Sequence, residues 1–187
     1  YMSFPDPTGG VHNAVEAVSL EVKRGSFVAL VGPSGCGKTT LLKLVAGLEF
    51  VTSGDVRCEG EAVRNINRKV GYISQDSNLF PWLSVWKNIA FPLLVRGTRK
   101  AEARQRAEEL INLVGLTGFS EHHPHQLSGG MQKRAAIART LIYEPDIILM
   151  DEPFGALDAL TRMALQSSLQ QMWMRQRPTI MFVTHDL

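Results

Sequence analysis

The segment from Gly32 to Thr39 carries the clearest chemical signal in the sequence. It reads Gly-Pro-Ser-Gly-Cys-Gly-Lys-Thr and matches the phosphate-loop pattern G-x-x-x-x-G-K-[ST] in full. Small residues let backbone N–H groups face phosphate oxygens, a lysine adds charge at the β and γ phosphates, and the threonine hydroxyl can bind Mg²⁺. The pattern therefore predicts an ATP-type site formed by Gly32, Pro33, Ser34, Gly35, Cys36, Gly37, Lys38, Thr39 and Thr40.

An ordinary glycine-rich turn is the alternative explanation of this segment. The flanks disfavour it, because an apolar run at residues 27–31 predicts a buried strand before the loop and residues 39–46 predict a helix after it. Cys36 has two interpretations. It is a small filler of the loop, or it is a reactive thiol, since a helix N-terminus favours the thiolate.

A pair of acids, Asp151 and Glu152, follows the apolar run at residues 147–150. Such a run is typical of a parallel strand buried on both faces, and ligands bind at the carboxyl ends of such strands. Asp151 is therefore placed to hold Mg²⁺, and Glu152 can accept a proton from an attacking water. His185 ends another apolar run and could reach the same γ-phosphate.

These residues need strands and helices to position them, and hydrophobic periodicity predicts both. The helix after Thr98, which can cap it, should bury Ala103, Ala107, Leu110, Ile111 and Val114 on one face. Further helices are predicted at residues 129–143 and 159–175. Strands are predicted at residues 16–22, 27–31, 55–58, 70–73, 147–150 and 179–183. The alternation predicts an α/β sheet domain with a helical insertion.

The composition excludes several classes of protein. The 187 residues are 44% hydrophobic, enough for a core, and Lys plus Arg number 20 against 18 Asp plus Glu, a net charge of +2. This balance gives no general attraction to nucleic acid. Two cysteines, Cys36 and Cys58, are too few for a disulfide scaffold, which favours a reducing compartment. No apolar stretch is long enough to span a membrane, and no secretory signal opens the chain, which also lacks an initiator Met.

Leu127-Ser-Gly-Gly-Met-Gln132 lies between the phosphate loop and the acidic pair. It resembles the signature sequence of the ATP-binding cassette transporters, which other phosphate-loop enzymes lack. The resemblance covers nearly the whole chain. It implies an α/β fold with a P-loop NTPase core, a mostly parallel sheet, an N-terminal antiparallel β portion and an inserted helical subdomain. Residues 1–75 and 144–187 would form the nucleotide-binding core of a single domain, and residues 76–143 the helical subdomain.

The resemblance also implies a role for individual residues. Ser128, Gly129 and Gly130 would bind the γ-phosphate held by the opposite protomer of a head-to-tail dimer containing two ATP molecules. Asp151 would be the metal-associated acid and Glu152 the general base. Further roles would fall to Gln75 as the residue that contacts Mg²⁺ and senses the membrane partner, Asp158 in the loop between protomers, His185 as the switch histidine, and Phe4, or else Tyr1, as the aromatic that stacks on adenine.

The implied assembly is an importer at the cytoplasmic face of the membrane. The partners would be a second nucleotide-binding subunit, identical or different, integral membrane permease subunits and a substrate-binding protein. The segments 79–83 and 155–162 resemble importers of nitrate, sulfonates or taurine. Family members continue beyond the position of Leu187, so the chain resembles a truncated member.

Three other classes of phosphate-loop protein are alternatives to this interpretation. A GTPase switch normally carries an Asn-Lys-x-Asp segment, and the sequence has none. A small-molecule kinase would not need the segment from Leu127 to Met131. A soluble cassette ATPase is the nearest rival, and the apolar segment 79–83 favours a membrane partner instead. Core packing of that segment is its other explanation.

Overall fold

The computed structural model describes residues 1–5, 11–155 and 157–184. The chain divides into two compact units. Unit 1 contains Tyr1–Tyr72, Asp146–Glu152 and the final strand from Thr179, and unit 2 contains Ile73–Pro145 and Pro153–Pro178. The functional division into residues 1–75, 76–143 and 144–187 stays a prediction.

Unit 1 is built on a four-stranded sheet with a helix packed against it. The strands β3 (Phe27–Val31), β6 (Val70–Ile73), β7 (Ile147–Asp151) and β8 (Thr179–Thr184) lie in the order β3-β8-β7-β6. β8 pairs parallel with both β3 and β7, so their carboxyl ends meet at one edge. The helix α1 (Lys38–Ala46) buries its apolar face in a cluster of Leu42, Ala46, Val70, Leu149, Met181 and Val183.

Four short strands complete unit 1. An N-terminal antiparallel pair, β1 (Met2–Pro5) and β2 (Val11–Val15), packs Met2 and Val15 against Leu44. A second antiparallel pair is formed by β4 (Arg57–Cys58) and β5 (Glu61–Ala62). The mostly parallel sheet and the N-terminal antiparallel portion are as predicted.

Unit 2 is helical. It contains α2 (Val85–Val95), α3 (Lys100–Leu113), a 3₁₀ turn (Pro124–Gln126), α4 (Gly129–Leu141) and α5 (Ala159–Gln176). The predicted apolar face of α3 is buried at Ala103, Ala107 and Ile111. Within the described part of the chain, no helix is long and apolar enough to cross a membrane.

Several predicted elements were wrong in place or extent. Residues 16–22 form no strand, because Ala17 has a positive φ of 49° and interrupts the extended run, leaving Val18 and Leu20 about half exposed. The predicted strand 55–58 shrinks to Arg57–Cys58. Thr98 does not cap α3: Arg99 occupies the N-cap, and the N–H of Thr98 donates to Leu93 at the end of α2. The helix predicted at 129–143 ends at Leu141, within the fraying typical of helix ends.

Candidate functional site

The phosphate loop is a tight connection between β3 and α1. Gly35 and Gly37 have positive φ values of 79° and 89°, which only glycine adopts without strain. A Cβ atom on Gly37 would lie 2.0 Å from the backbone oxygen of Ala14 in β2. Gly37 is also the N-cap of α1 and provides no side-chain cap, so the positive end of this helix is directed at the loop.

Lys38 is the first residue of α1 and turns back over the loop. Its Nζ donates to the backbone oxygens of Gly32 and Pro33, both at 2.7 Å, and lies 3.6 Å from the Sγ of Cys36. Cys36 itself is exposed. Within residues 1–5, 11–155 and 157–184 Lys38 forms no salt bridge, so its charge is not neutralised by a carboxylate there.

Thr39 and Asp151 meet although 112 residues separate them. The Thr39 hydroxyl donates to Oδ1 of Asp151 over 3.0 Å. Asp151 is the last residue of β7 and is only 4% exposed. The adjacent hydroxyl and carboxylate oxygens are hard donors of the kind Mg²⁺ prefers. In the described part of the chain no three His, Cys, Asp or Glu residues cluster as a metal cage.

Tyr72 of β6 contributes a second hydrogen bond to Asp151. Burial, followed by the negative charge of Asp151 and this hydrogen bond, raises the pKa of Tyr72 to about 12. The phenol therefore stays protonated at neutral pH and donates to the carboxylate.

Glu152 follows Asp151 in a strained backbone conformation. Its φ of 47° lies in the left-handed region, which costs a residue other than glycine about 1–3 kcal/mol. Its N–H donates to the oxygen of Val183 in β8 over 3.1 Å. The extended strand therefore ends at Asp151 and the backbone turns at Glu152. His185, the predicted switch residue, lies outside the described residues.

The predicted adenine-stacking residue, Phe4, is half-buried against the cluster of Met2, Val15 and Leu44. A cleft of about 580 Å³ lies in unit 1 between the phosphate loop, β2 and β3. This volume is in the range of small-molecule sites. Its described lining contains neither Phe4 nor the acidic pair. The alternative, Tyr1, is about half exposed and lines a different cavity.

Unit 2 carries the other predicted residues. Ser128 is the N-cap of α4, and its hydroxyl accepts from the N–H of Met131 over 3.3 Å. Gly129 and Gly130 form the first turn, so the signature sequence sits at the positive end of a 13-residue helix. Asp158 caps α5 in the same way by accepting from the N–H of Thr161, and this hydrogen bond lowers the pKa of Asp158. Gln75 lies in the loop after β6 and is exposed.

The arrangement of these motifs matches a known protein family. The family model described as "ABC transporter" matches residues 15–155, which include the phosphate loop, the signature and the acidic pair. The chain belongs to the ABC transporter family.

Relatives of this ABC transporter chain align over nearly its whole length. An uncharacterized ABC transporter ATP-binding protein of Methanocaldococcus jannaschii is 47% identical over 93% of the chain and 65% of its own length. The aliphatic sulfonates import ATP-binding protein SsuB of a Bacillus cereus strain is 42% identical, and the match covers 98% of the chain and 72% of the relative. The taurine import ATP-binding protein TauB of Jannaschia sp. is 44% identical, over 100% and 69%. The chain thus spans about two thirds of the length of these relatives.

Solved structures of ABC cassettes have the same fold. The dimeric ATP-binding cassette MJ0796, in a post-hydrolysis state bound to ADP and Pi, superposes with a TM-score of 0.92. It is 33% identical and the match covers 99% of the ABC transporter chain and 85% of that cassette. The predicted family and fold class are therefore confirmed.

The segment 79–83 of this ABC transporter chain presents an aromatic surface. Trp82 is 71% exposed and its ring centroid lies 5.5 Å from that of Phe80. Phe80 in turn contacts Phe91 of α2 with centroids 4.6 Å apart. Core packing, one of the two explanations offered for this segment, is therefore wrong for Trp82.

Three residues that contact a predicted site residue or its loop had no signal in the sequence. They are Tyr72, which hydrogen-bonds Asp151, and Lys133 and Arg139 of α4, which bind the loop that contains Gln75. A strand tyrosine and helix cations are usually packing or surface residues. Each of these residues lies far in the sequence from the group that it contacts. The groups that Lys133 and Arg139 contact are backbone oxygens, which no residue pattern reveals.

Proposed function

We propose that this chain is the ATP-hydrolysing subunit of an ABC importer. The observation that carries the proposal is the 3.0 Å hydrogen bond between Thr39 and Asp151. It joins the phosphate loop to the acidic end of β7, with Glu152 as the next residue. A loop that cradles phosphates, an oxygen pair suited to a metal ion, and a positioned carboxylate are the parts that phosphoryl transfer to water requires.

Each of these residues has a distinct task. Lys38 exchanges its two carbonyl partners for oxygens of the β and γ phosphates, and the N-terminus of α1 stabilises the same negative charge. Thr39 and Asp151 hold Mg²⁺, which when bound supplies positive charge at those phosphates. Glu152 takes a proton from the water that attacks the γ phosphorus. The bond to the leaving oxygen of ADP breaks, and ADP and phosphate are the products.

The active unit in this proposal is a head-to-tail dimer. Ser128, Gly129 and Gly130 bind the γ-phosphate held by the opposite protomer, which the exposed N-terminus of α4 favours. Asp158 lies in the loop between protomers, Gln75 contacts Mg²⁺, and His185 senses the γ-phosphate. Phe4 or Tyr1 stacks on adenine. The dimeric state of the solved cassette with 33% identity supports this arrangement.

The cargo in this proposal is an aliphatic sulfonate, taurine or nitrate. Support comes from the names of the relatives, which are sulfonate and taurine import proteins at 42–44% identity. The chain would act at the cytoplasmic face of the membrane, attached to permease subunits through the aromatic surface around Trp82 and served by a substrate-binding protein. These relatives do not favour a soluble cassette ATPase outside transport.

Replacing Glu152 by Gln tests the proposed chemistry. The amide keeps the shape of the side chain but cannot take a proton, so phosphate release from MgATP should fall by about 10²–10⁴-fold. Fluorescent ATP should still bind, and size-exclusion chromatography should show an ATP-dependent dimer. Glu102→Gln, an exposed change in the first turn of α3, is the matched control and should hydrolyse ATP at the wild-type rate. Wild-type phosphate release by the Glu152 variant would reject it as the base.

A further inference from the structure

Lys133 is a charged residue in the interior of unit 2. It is only 2% exposed, and its Nζ donates to the backbone oxygens of Ser74 and Gln75 at 2.7 Å and 2.9 Å. A lysine is almost never fully buried unless its charge has partners. Here two of those partners are carbonyls of the loop that follows β6, which lies 58–59 residues away in the sequence.

Arg139 extends the same arrangement along α4. Its Nη1 donates to the oxygen of Asn78 over 2.8 Å and its Nη2 to the oxygen of Ser77 over 3.1 Å. The guanidinium also lies 5.5 Å from the ring centroid of Phe80. Two cations from one helix therefore bind four carbonyls within the five-residue segment 74–78. Hydrogen bonds to charged groups are stronger than neutral ones, and the burial of Lys133 strengthens its two bonds further.

The segment 74–78 is also closed on itself. The Ser74 hydroxyl donates to the backbone oxygen of Asp76 over 2.8 Å. The side-chain amide of Asn78 donates to the Ser74 hydroxyl, also over 2.8 Å. Its continuation is fixed by the fully buried Asn88 of α2, which accepts from the N–H of Phe80 over 2.8 Å and donates to the oxygen of Leu83 over 2.9 Å. Gln75 thus belongs to a folded turn that is bound to α4, and the segment after this turn is bound to α2.

The helix that holds this turn also carries the signature sequence. α4 begins at Gly129, is capped by Ser128, and reaches Lys133 after one turn. A rigid helix that binds the turn at two points cannot move without it. We propose that Lys133 and Arg139 are positioning residues that fasten the Gln75 turn to α4, so that Gln75 and the signature sequence move as one body. This inference rests on the proposed function, because the proposed function assigns the roles of Gln75 and the signature sequence.

In this proposal Lys133 affects the site by positioning Gln75, and it has no effect on the phosphate loop. Removing its charge while keeping its length, as in Lys133→Met, should loosen the turn and leave the phosphate loop untouched. Lys133→Arg keeps a cation that can donate to both carbonyls and is the conservative variant. Lys100→Met is the matched control, because Lys100 is an exposed helical lysine in the same unit.

Hydrogen exchange followed by mass spectrometry measures the fastening directly and needs no activity. In Lys133→Met the amides of residues 74–78 should exchange about tenfold faster, as expected for loss of a charged hydrogen bond. The helices of unit 2 should keep their wild-type protection. Lys133→Arg and Lys100→Met should behave like the wild type. Faster exchange throughout unit 2 would show a general packing role and overturn the proposal, as would unchanged exchange at 74–78.

A double-mutant cycle that combines Lys133→Met with Gln75→Ala tests whether Lys133 affects ATP hydrolysis by positioning Gln75. The Mg²⁺ concentration needed for half-maximal ATP hydrolysis should rise in Lys133→Met by about the factor seen in Gln75→Ala, and adding both changes should raise it no further. Independent, multiplying effects would contradict the proposal. Absence of hydrolysis in the wild type would instead reject the proposed function, while the exchange experiment would still decide whether the turn is fastened to α4.

Discussion

Two loops of this protein are held by the same hydrogen-bond pattern but differ in burial. In the phosphate loop, Nζ of Lys38 donates to the two consecutive oxygens of Gly32 and Pro33. In the loop after β6, Nζ of Lys133 donates to the two consecutive oxygens of Ser74 and Gln75. The first lysine is half-buried beside an exposed loop, whereas the second is 2% exposed.

The difference in burial separates binding from positioning. A half-buried ammonium group can exchange carbonyl partners for phosphate oxygens at little cost, because water compensates during the exchange. A fully buried one would lose its partners without compensation, so it keeps them. The same residue type with the same acceptors therefore serves a ligand in one loop and a fixed turn in the other. The geometry of the bonds is alike, and the surroundings determine the role.

The largest effect expected concerns two tryptophans of unit 2 that, like the two lysines, differ in burial. Trp86 of α2 is 2% exposed, and Trp86→Ala should lower the free energy of unfolding by about 3–5 kcal/mol. Trp82 is 71% exposed, and Trp82→Ala should change it by less than about 0.5 kcal/mol. Denaturant titration of both variants measures the contrast. If the aromatic surface around Trp82 binds permease subunits, Trp82→Ala should lose co-purification with those subunits and keep its stability. A large decrease in the free energy of unfolding would contradict this role for Trp82.

A smaller effect is expected from two glycines of the phosphate loop. Gly35 and Gly37 both have positive φ values, so alanine costs about 1–2 kcal/mol at either position. At Gly37 the new methyl would also meet the Ala14 oxygen at 2.0 Å, whereas at Gly35 nothing lies within 4 Å. Gly37→Ala should therefore melt at a clearly lower temperature than Gly35→Ala. Equal melting temperatures would show that β2 does not constrain the loop.

The sequence predicted the parts of the site that depend on local pattern. The strands β3 and β6 and the first turns of α1 and α4 lie where hydrophobic periodicity and glycine placed them. Asp151 ends β7 as the buried run at 147–150 indicated, because a run without polar alternation requires a sheet buried on both faces. The strand predicted at residues 16–22 is absent, because a local pattern does not reveal the backbone conformation of a single residue. Its alternation was real, but the left-handed conformation of Ala17 interrupts it.

The contacts that depend on tertiary structure could not be predicted. Nothing in the composition of α4 distinguishes Lys133, which is buried, from Arg134, which contacts the oxygens of Val114 and Gly115. Their acceptors are backbone carbonyls, which every residue carries. Tyr72 likewise reads as an ordinary strand aromatic until β6 and β7 share a sheet. Side-chain roles are predictable from sequence when a motif fixes the neighbours, and otherwise only from the fold.

The most direct test of the account is the affinity of the phosphate loop for nucleotide. Titration of a fluorescent ATP analogue should show that Lys38→Ala weakens binding by about 10–100-fold, the worth of one charged hydrogen bond. Lys43→Ala removes the same charge from the last turn of the same helix and should bind like the wild type. Equal affinities of Lys38→Ala and the wild type would contradict the account, because the nucleotide would then be bound elsewhere.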